Sequence, residues 1–190
     1  YIVIPWYDGS KLPGNAAWEE TKKLFTKISD EAKQNGMSLL YHNHDFEFTK
    51  VGDEYQYDIM FRDLNGHLDP EPDTCWMKHG GVNPAEYIRK YGDRINVVHL
   101  KDLTYVDGEG KPAYALIGDD GSEAKQGEAE KKTVVLVPLG RGINDFGSIL
   151  EACSDNNIEY AIVEQDNFTG ITPLEGMAES RRYLKDTFGL

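Results

Sequence analysis

The stretch 37-MSLLYHNHDFEF-48 begins as an apolar run and then places four ionisable groups within six positions. Residues 37–40 are typical of a buried β-strand. The four groups that follow are His42, His44, Asp45 and Glu47. Burying such groups costs free energy unless they find partners, so a strand that ends this way indicates a polar site at its carboxyl end.

Apolar strand-like runs alternate with segments of helical period along the rest of the chain. The pattern predicts strands over residues 2–6, 39–44, 68–74, 95–101 and 160–164, with a short extra strand over 133–139. It predicts helices over 16–35, 57–64, 84–91, 145–156 and 173–188. Such alternation is typical of an α/β fold with a parallel sheet, either an open doubly wound sheet or a barrel. No glycine-rich phosphate fingerprint follows any strand, which argues against the dinucleotide-binding version.

We interpret residues 1–190 as a single domain in which residues 107–132, rich in Gly, Glu and Lys, form an inserted loop. A strand pattern from the first residue, with no initiator Met, predicts that N-terminal units are missing. Sheet edges exposed in such a fragment would favour a homo-oligomer. A half-assembled or non-catalytic fragment is therefore an alternative to an enzyme.

Composition limits the partners of this chain. Its 33 acidic residues outnumber 20 basic ones, giving a formal net charge of -13. Nucleic-acid binding needs a basic footprint, so we expect neither a nucleic-acid partner nor an anionic membrane. No run approaches the roughly 18 apolar residues of a membrane span. Two distant cysteines, Cys75 and Cys153, favour a reducing, cytoplasmic setting over a disulfide framework.

Four of the predicted strands become polar toward their carboxyl ends. The residues that share one face there are His42 and His44; Asp69, Glu71 and Asp73; His99 and Lys101; and Glu164 and Asp166. The carboxyl ends of parallel strands meet at one edge, so this agreement predicts a shared site. The alternative is that each strand simply becomes polar on entering a loop. Imidazole and carboxylate ligands together suit a divalent ion such as Mn, Zn, Mg or Co.

The segments "YHNHDFEF", "DTCWMKHGG", "RINVVHLKD", "PLGRGINDF" and "EYAIVEQDN" occur in an order that resembles the sugar phosphate isomerase/epimerase family, the xylose isomerase-like TIM barrels. The resemblance runs across nearly the whole chain. It implies a (β/α)8 barrel of which this chain holds the last five β/α units. The motifs are specific for the superfamily and much less so for a substrate.

The resemblance also implies one divalent metal ion held by residues from successive strands. By motif, the metal ligands are expected to be Asp73, His99 and Glu164, with the first ligand either His42 or Glu47. Pro70 and Pro72 flank Glu71, and each removes a ladder donor, which makes the strand before Asp73 irregular.

The expected catalytic groups are Glu164, His44 and Lys101. Glu164 or His44 would move protons, and Lys101 would steady a developing oxyanion. The expected substrate-binding residues are Trp76, Arg141 and Trp6. Plain packing is the alternative for Trp76, and surface ion pairing is the alternative for Arg141.

The chemistry implied by this resemblance is proton transfer next to a carbonyl of a sugar or sugar derivative, through an enediolate. Returning the proton gives an isomerase or epimerase. Expelling a neighbouring leaving group gives a dehydratase or a keto-sugar lyase, and the sequence leaves this choice open. A metal-dependent endonuclease for damaged DNA uses the same barrel, but the acidic composition argues against it.

Overall fold

The computed structural model describes residues 1–107 and 132–190, which divide into two compact units. Unit 1 comprises Tyr1–His99 and Phe146–Ile162, and unit 2 comprises Leu100–Asp145 and Val163–Leu190. The predicted insertion 107–132 lies, apart from its two end residues, outside the described residues. The single domain stays a prediction.

In chain order the strands are β1 (Ile2–Ile4), β2 (Leu39–His42), β3 (Lys50–Val51), β4 (Glu54–Tyr55), β5 (Asp69–Glu71), β6 (Val97–Leu100), β7 (Asp102–Asp107), β8 (Lys132–Val137) and β9 (Tyr160–Val163). The α-helices are α1 (Trp18–Gln34), α2 (Gln56–Asp63), α3 (Thr74–His79), α4 (Pro84–Tyr91), α5 (Phe146–Asp155) and α6 (Pro173–Phe188). This order confirms the predicted alternation of strands and helices.

The sheet of unit 1 is parallel and follows the order β1-β2-β5. Its register pairs Leu40 with Asp69 and His42 with Glu71. Beyond β5, an isolated parallel bridge joins Asp73 to His99, and β6 pairs with β9. The register therefore aligns the polar carboxyl ends of neighbouring strands.

The third strand is shorter than the predicted 68–74 and ends at Glu71. Pro72 lacks the N–H that would continue the ladder, although its carbonyl still accepts the His99 N–H at 2.8 Å. Asp73 then becomes the N-cap of α3.

Helix α1 buries a stripe of residues that includes Trp18, Phe25 and Ala32, and Trp18 and Phe25 belong to the hydrophobic core of unit 1. The Phe25 ring lies 4.8 Å from the ring of Tyr7 and 6.2 Å from that of Tyr41. Burying each large apolar side chain contributes about 1.5–3 kcal/mol. The core of this unit further includes Leu12, Leu39, Phe48, Tyr57, Met60, Phe61, Leu64, Leu68 and Met77.

Unit 2 contains an antiparallel hairpin and helix α6. Strands β7 and β8 pair over six residues each, from Asp102 opposite Val137 to Asp107 opposite Lys132. The extra strand predicted over 133–139 is confirmed as β8. Strand β7 was not predicted, because its sequence runs on from the preceding strand without a turn signal.

Helix α6 has the predicted bounds. Thr172 and Glu175 form a capping box, and Pro173 occupies the first helical position. Its N-terminus is therefore specified by local chemistry alone. None of the helices in residues 1–107 and 132–190 combines the length and hydrophobicity needed to cross a membrane.

Candidate metal and active site

Unit 1 brings together three of the predicted metal ligands. His42 ends β2, Asp73 follows β5, and His99 lies in β6. Each offers one ligand atom, and these atoms lie within 4.8 Å of one another. The Nε2 of His42 lies 3.6 Å from the Oδ2 of Asp73, and the rings of His42 and His99 are 4.6 Å apart. His42 and Asp73 are buried.

Asp73 is held in place by the first turn of α3 and by Asn43. Its Oδ1 accepts the Trp76 N–H at 2.9 Å, and its own N–H donates to the Asn43 side chain at 3.0 Å. Oδ2 is the oxygen that points toward His42. Sequence reasoning missed Asn43, whose position between His42 and His44 was the available signal.

His99 is fixed through both its backbone and its ring. Its carbonyl accepts the Thr74 hydroxyl at 3.1 Å. Its Nε2 lies 2.6 Å from the Oε1 of Glu71, which is 3% exposed. Glu71 was grouped with the site face by alternation but was given no role. The distance shows that it contacts a predicted ligand directly.

His44 lies beside the three predicted ligands. Its ring stacks on Phe46 with an interplanar angle of 9° and lies 5.4 Å from the rings of both His42 and Trp76. Trp76 is 1% exposed. The roles of His44 in proton transfer and of Trp76 in sugar stacking stay predictions.

The Glu47 carboxylate is occupied within its own segment. Oε1 accepts the Tyr41 hydroxyl at 2.6 Å, and Oε2 accepts the His44 N–H at 2.8 Å. Burial raises the pKa of Glu47 to about 7, although these hydrogen bonds oppose the rise. The Glu47 carboxylate thus stabilises the loop after β2. Of the two candidates for the first ligand, His42 is the one that is grouped with Asp73 and His99.

Lys101, Glu164 and Asp166 form an ion cluster in unit 2. The Lys101 ammonium lies 3.1 Å from Glu164 Oε2 and 2.5 Å from Asp166 Oδ2, and the lysine side chain is 2% exposed. Both carboxylates are partly exposed. A lysine buried this deeply needs carboxylate partners. The Lys101 ammonium is therefore held in a fixed position and is not simply solvated at the end of a strand.

The remaining predicted residues lie elsewhere. Arg141 forms an exposed ion pair with Glu179 at 2.9 Å, which is the alternative that the sequence left open. The loop that carries it is tied to Asp102, whose buried carboxylate accepts N–H groups from Gly140, Gly142 and Asn144. Burial raises the pKa of Asp102 against these hydrogen bonds. Trp6 is 38% exposed. Substrate contacts for Arg141 and Trp6 stay predictions.

The donor set of unit 1 fits a divalent cation. Two imidazoles and one carboxylate are ligands that zinc and manganese accept, and metal–ligand bonds of about 2.0–2.2 Å require donors as close as these. The three groups lie at the ends of spatially neighbouring parallel strands, whose pairing and the Asp73–His99 bridge hold them at a common level.

Parallel strands with helices between them, and candidate metal ligands at the carboxyl ends, define the class of α/β proteins that carry their sites where barrel strands end. Within that class, the chain belongs to the xylose isomerase-like TIM barrel family, whose model matches residues 1–187.

The chain is similar to an inosose dehydratase from Clostridium perfringens, with 29% identity over 199 residues, covering 100% of this chain and 61% of the relative. It thus spans about 60% of the length of the curated relatives that it matches. In fold it is similar to a sugar phosphate isomerase/epimerase from Parabacteroides distasonis, with a TM-score of 0.65, 24% identity, and coverage of 90% of this chain and 55% of the other.

A xylose isomerase-like TIM barrel protein from Mycobacterium smegmatis, solved in complex with magnesium, matches with a TM-score of 0.62 and 16% identity, covering 92% of this chain and 51% of the other. These relatives include enzymes, and the structural matches bear on the fold alone.

Proposed function

We propose that this protein catalyses metal-dependent removal of a proton from the carbon next to a carbonyl in a sugar or sugar-like ring. The observation that supports the proposal is the convergence of His42, Asp73 and His99 within 4.8 Å at the carboxyl ends of adjacent parallel strands. Three ligands at one point suit a single ion, whereas the several zinc ions of an endonuclease for damaged DNA would need more ligands than this group offers.

His42, Asp73 and His99 would hold the ion, and we propose Glu164 as the fourth ligand. The assignment of Glu164 rests on its position after β9 and on the "VEQD" motif. When bound, a divalent ion polarises the substrate carbonyl and orients the neighbouring hydroxyl.

Residues of the chain would then transfer the proton and stabilise the negative charge that develops on the substrate. We propose Glu164 as the base, because it is the carboxylate of the "VEQD" motif directly after β9 and a carboxylate can accept a carbon-bound proton. The Lys101 ammonium, 3.1 Å from Glu164 Oε2, orients that carboxylate and offers positive charge to a developing oxyanion. His44, stacked on Phe46 and buried, is proposed as the partner that returns the proton.

Two outcomes follow from the same abstraction. Return of the proton to carbon gives isomerisation or epimerisation, which is the main function predicted from the sequence. Loss of a hydroxyl from the neighbouring carbon gives dehydration. The inosose dehydratase relative at 29% identity favours this second candidate, with a ketocyclitol such as an inosose as its substrate.

The test uses the full chain loaded with Mn²⁺ in D₂O and a panel of ketoses, ketose phosphates and inososes. Deuterium uptake next to the carbonyl, followed by NMR, reports the abstraction. Mass spectrometry separates isomeric products, heavier only by the deuterium taken up, from products that have lost water. Metal-loaded protein that exchanges deuterium into no member of the panel would contradict the proposed function.

Glu164→Gln keeps the shape of the side chain but not its basicity, so we expect it to stop exchange while partly retaining Mn²⁺. Glu159→Gln is the matched control, because Glu159 is an exposed carboxylate just before β9. The control is expected to exchange like the wild type. Undiminished exchange by Glu164→Gln would exclude Glu164 as the base.

A further inference from the structure

Glu71 is a buried carboxylate that the proposed reaction does not use. It ends β5, is 3% exposed, and pairs in register with His42. Its Oε1 lies 2.6 Å from the Nε2 of His99, whereas its Oε2 has no hydrogen-bond partner among the residues that the structure describes. Burying a carboxylate with one oxygen unpartnered costs free energy. The contact with His99 is the interaction that offsets this cost.

The His99 backbone is independently fixed in the same place. Its N–H donates to the Pro72 carbonyl, and its own carbonyl accepts the Thr74 hydroxyl. Both partners lie within three residues of Glu71 on the chain. The strand end thus locates the backbone of His99, and Glu71 is the group that contacts its ring.

We propose that Glu71 is a positioning residue that accepts the Nε2–H of His99 and thereby keeps the proton off Nδ1, the nitrogen that would bind the metal ion. A neutral imidazole carries its proton on one nitrogen, and a carboxylate against one nitrogen selects that tautomer. Ligating histidines commonly donate their second N–H to a carboxylate, and loss of that partner typically costs 10–100-fold in metal affinity or activity. The inference rests on the proposed role of His99 as a ligand.

Two variants of nearly equal size separate positioning from packing. Glu71→Gln keeps an acceptor oxygen, and Glu71→Met fills the same space without one. The His99 tautomer is read from long-range ¹⁵N–¹H NMR spectra of metal-free, chelated protein at about pH 8.5, above the ordinary histidine pKa near 6.5. The His99 signals are assigned by their loss in His99→Gln. Mn²⁺ affinity is measured by electron paramagnetic resonance of the free ion.

The wild type is expected to show the Nε2–H tautomer at His99. Glu71→Gln is expected to keep it and to bind Mn²⁺ a few-fold more weakly, because a neutral amide is a weaker acceptor than a carboxylate. Glu71→Met is expected to show mixed tautomers and an affinity lowered about 10–100-fold. Asp58→Asn is the control for general destabilisation, because Asp58 binds Tyr87, Lys90 and Tyr91 away from the site. It is expected to change neither readout.

An Nε2–H tautomer and wild-type Mn²⁺ affinity in Glu71→Met would overturn the proposal. So would an unchanged tautomer with affinity lost as completely as in His99→Gln, since that pattern would make Glu71 a ligand itself. If Glu71→Met does not fold, wild-type affinity in Glu71→Gln overturns the proposal instead. Neither the tautomer nor the Mn²⁺ affinity depends on turnover. A failure of this proposal can therefore be told apart from a failure of the proposed reaction.

Discussion

Glu47 gives a prediction about pH and stability whose sign follows from its surroundings. The side chain is fully buried, and its carboxyl group contacts the Tyr41 hydroxyl and the His44 N–H. In Glu47→Gln, the amide oxygen can accept the His44 N–H while the amide nitrogen donates to the Tyr41 oxygen. The variant therefore removes the ionisable group and keeps one hydrogen bond to each of the two partners.

Burial raises the pKa of Glu47 from an ordinary 4.5 to about 7. The folded protein thus binds this proton more tightly than the unfolded chain does. The resulting stability is fully present below about pH 4.5 and is lost as the pH rises through 7. At 1.36 kcal/mol per pKa unit, the loss amounts to about 3 kcal/mol. The amide side chain introduced by Glu47→Gln cannot ionise, so the variant escapes this loss.

Urea unfolding of both proteins, with a chelator present, measures the effect at a series of pH values from about 4.5 to 8. We expect the free energy of unfolding of Glu47→Gln to rise relative to the wild type by about 3 kcal/mol across this range. Other titrating groups cancel in the difference. Phe25→Leu serves as the control, since neither side chain ionises. A difference between Glu47→Gln and wild type that does not change with pH would refute the reasoning.

Two predictions concern unit 2, and both are measured as urea midpoints with unchanged slope. A Cβ at Gly142 would lie 2.2 Å from Asp102 Oδ1 and 2.3 Å from the Leu103 carbonyl, so Gly142→Ala should lower the free energy of unfolding by about 1–3 kcal/mol; unchanged stability would mean that this loop is not held as described. Thr172→Ala should cost about 1 kcal/mol by removing the capping box with Glu175, whereas Thr172→Ser should restore most of it; equal losses in both variants would contradict the capping role.

Local chemistry explains why some elements were predictable from the sequence. Helix α6 begins where Thr172 and Pro173 specify it, and α4 begins at Asn83, whose side chain accepts the Ala85 N–H. These signals act within a few residues. Helix α3 was missed because six residues are too short to show a helical period, and its N-cap, Asp73, had been placed within a strand.

The candidate site divides in the same way. The sequence predicted that His42, Asp73 and His99 lie at one edge of the sheet. The two-residue alternation along each strand gives the face that a side chain points to, and the parallel order brings the carboxyl ends together. The choice between His42 and Glu47 could not be made, since it depends on where the loop after β2 turns. The contact between Glu71 and His99 joins residues 28 positions apart and depends on strand register, which no local pattern specifies.

The account depends most directly on the binding of one divalent ion at the carboxyl ends of the strands. Calorimetric titration of the metal-free chain with Mn²⁺ tests this, and we expect about one ion per chain, with affinity falling more than about 100-fold in each of His42→Ala, Asp73→Ala and His99→Ala. His67→Ala is the matched control, because His67 lies at the surface beside Asp30. The Mn²⁺ affinity of this variant should equal that of the wild type. Wild-type affinity in His99→Ala or Asp73→Ala, or no binding by the folded wild type, would contradict the account.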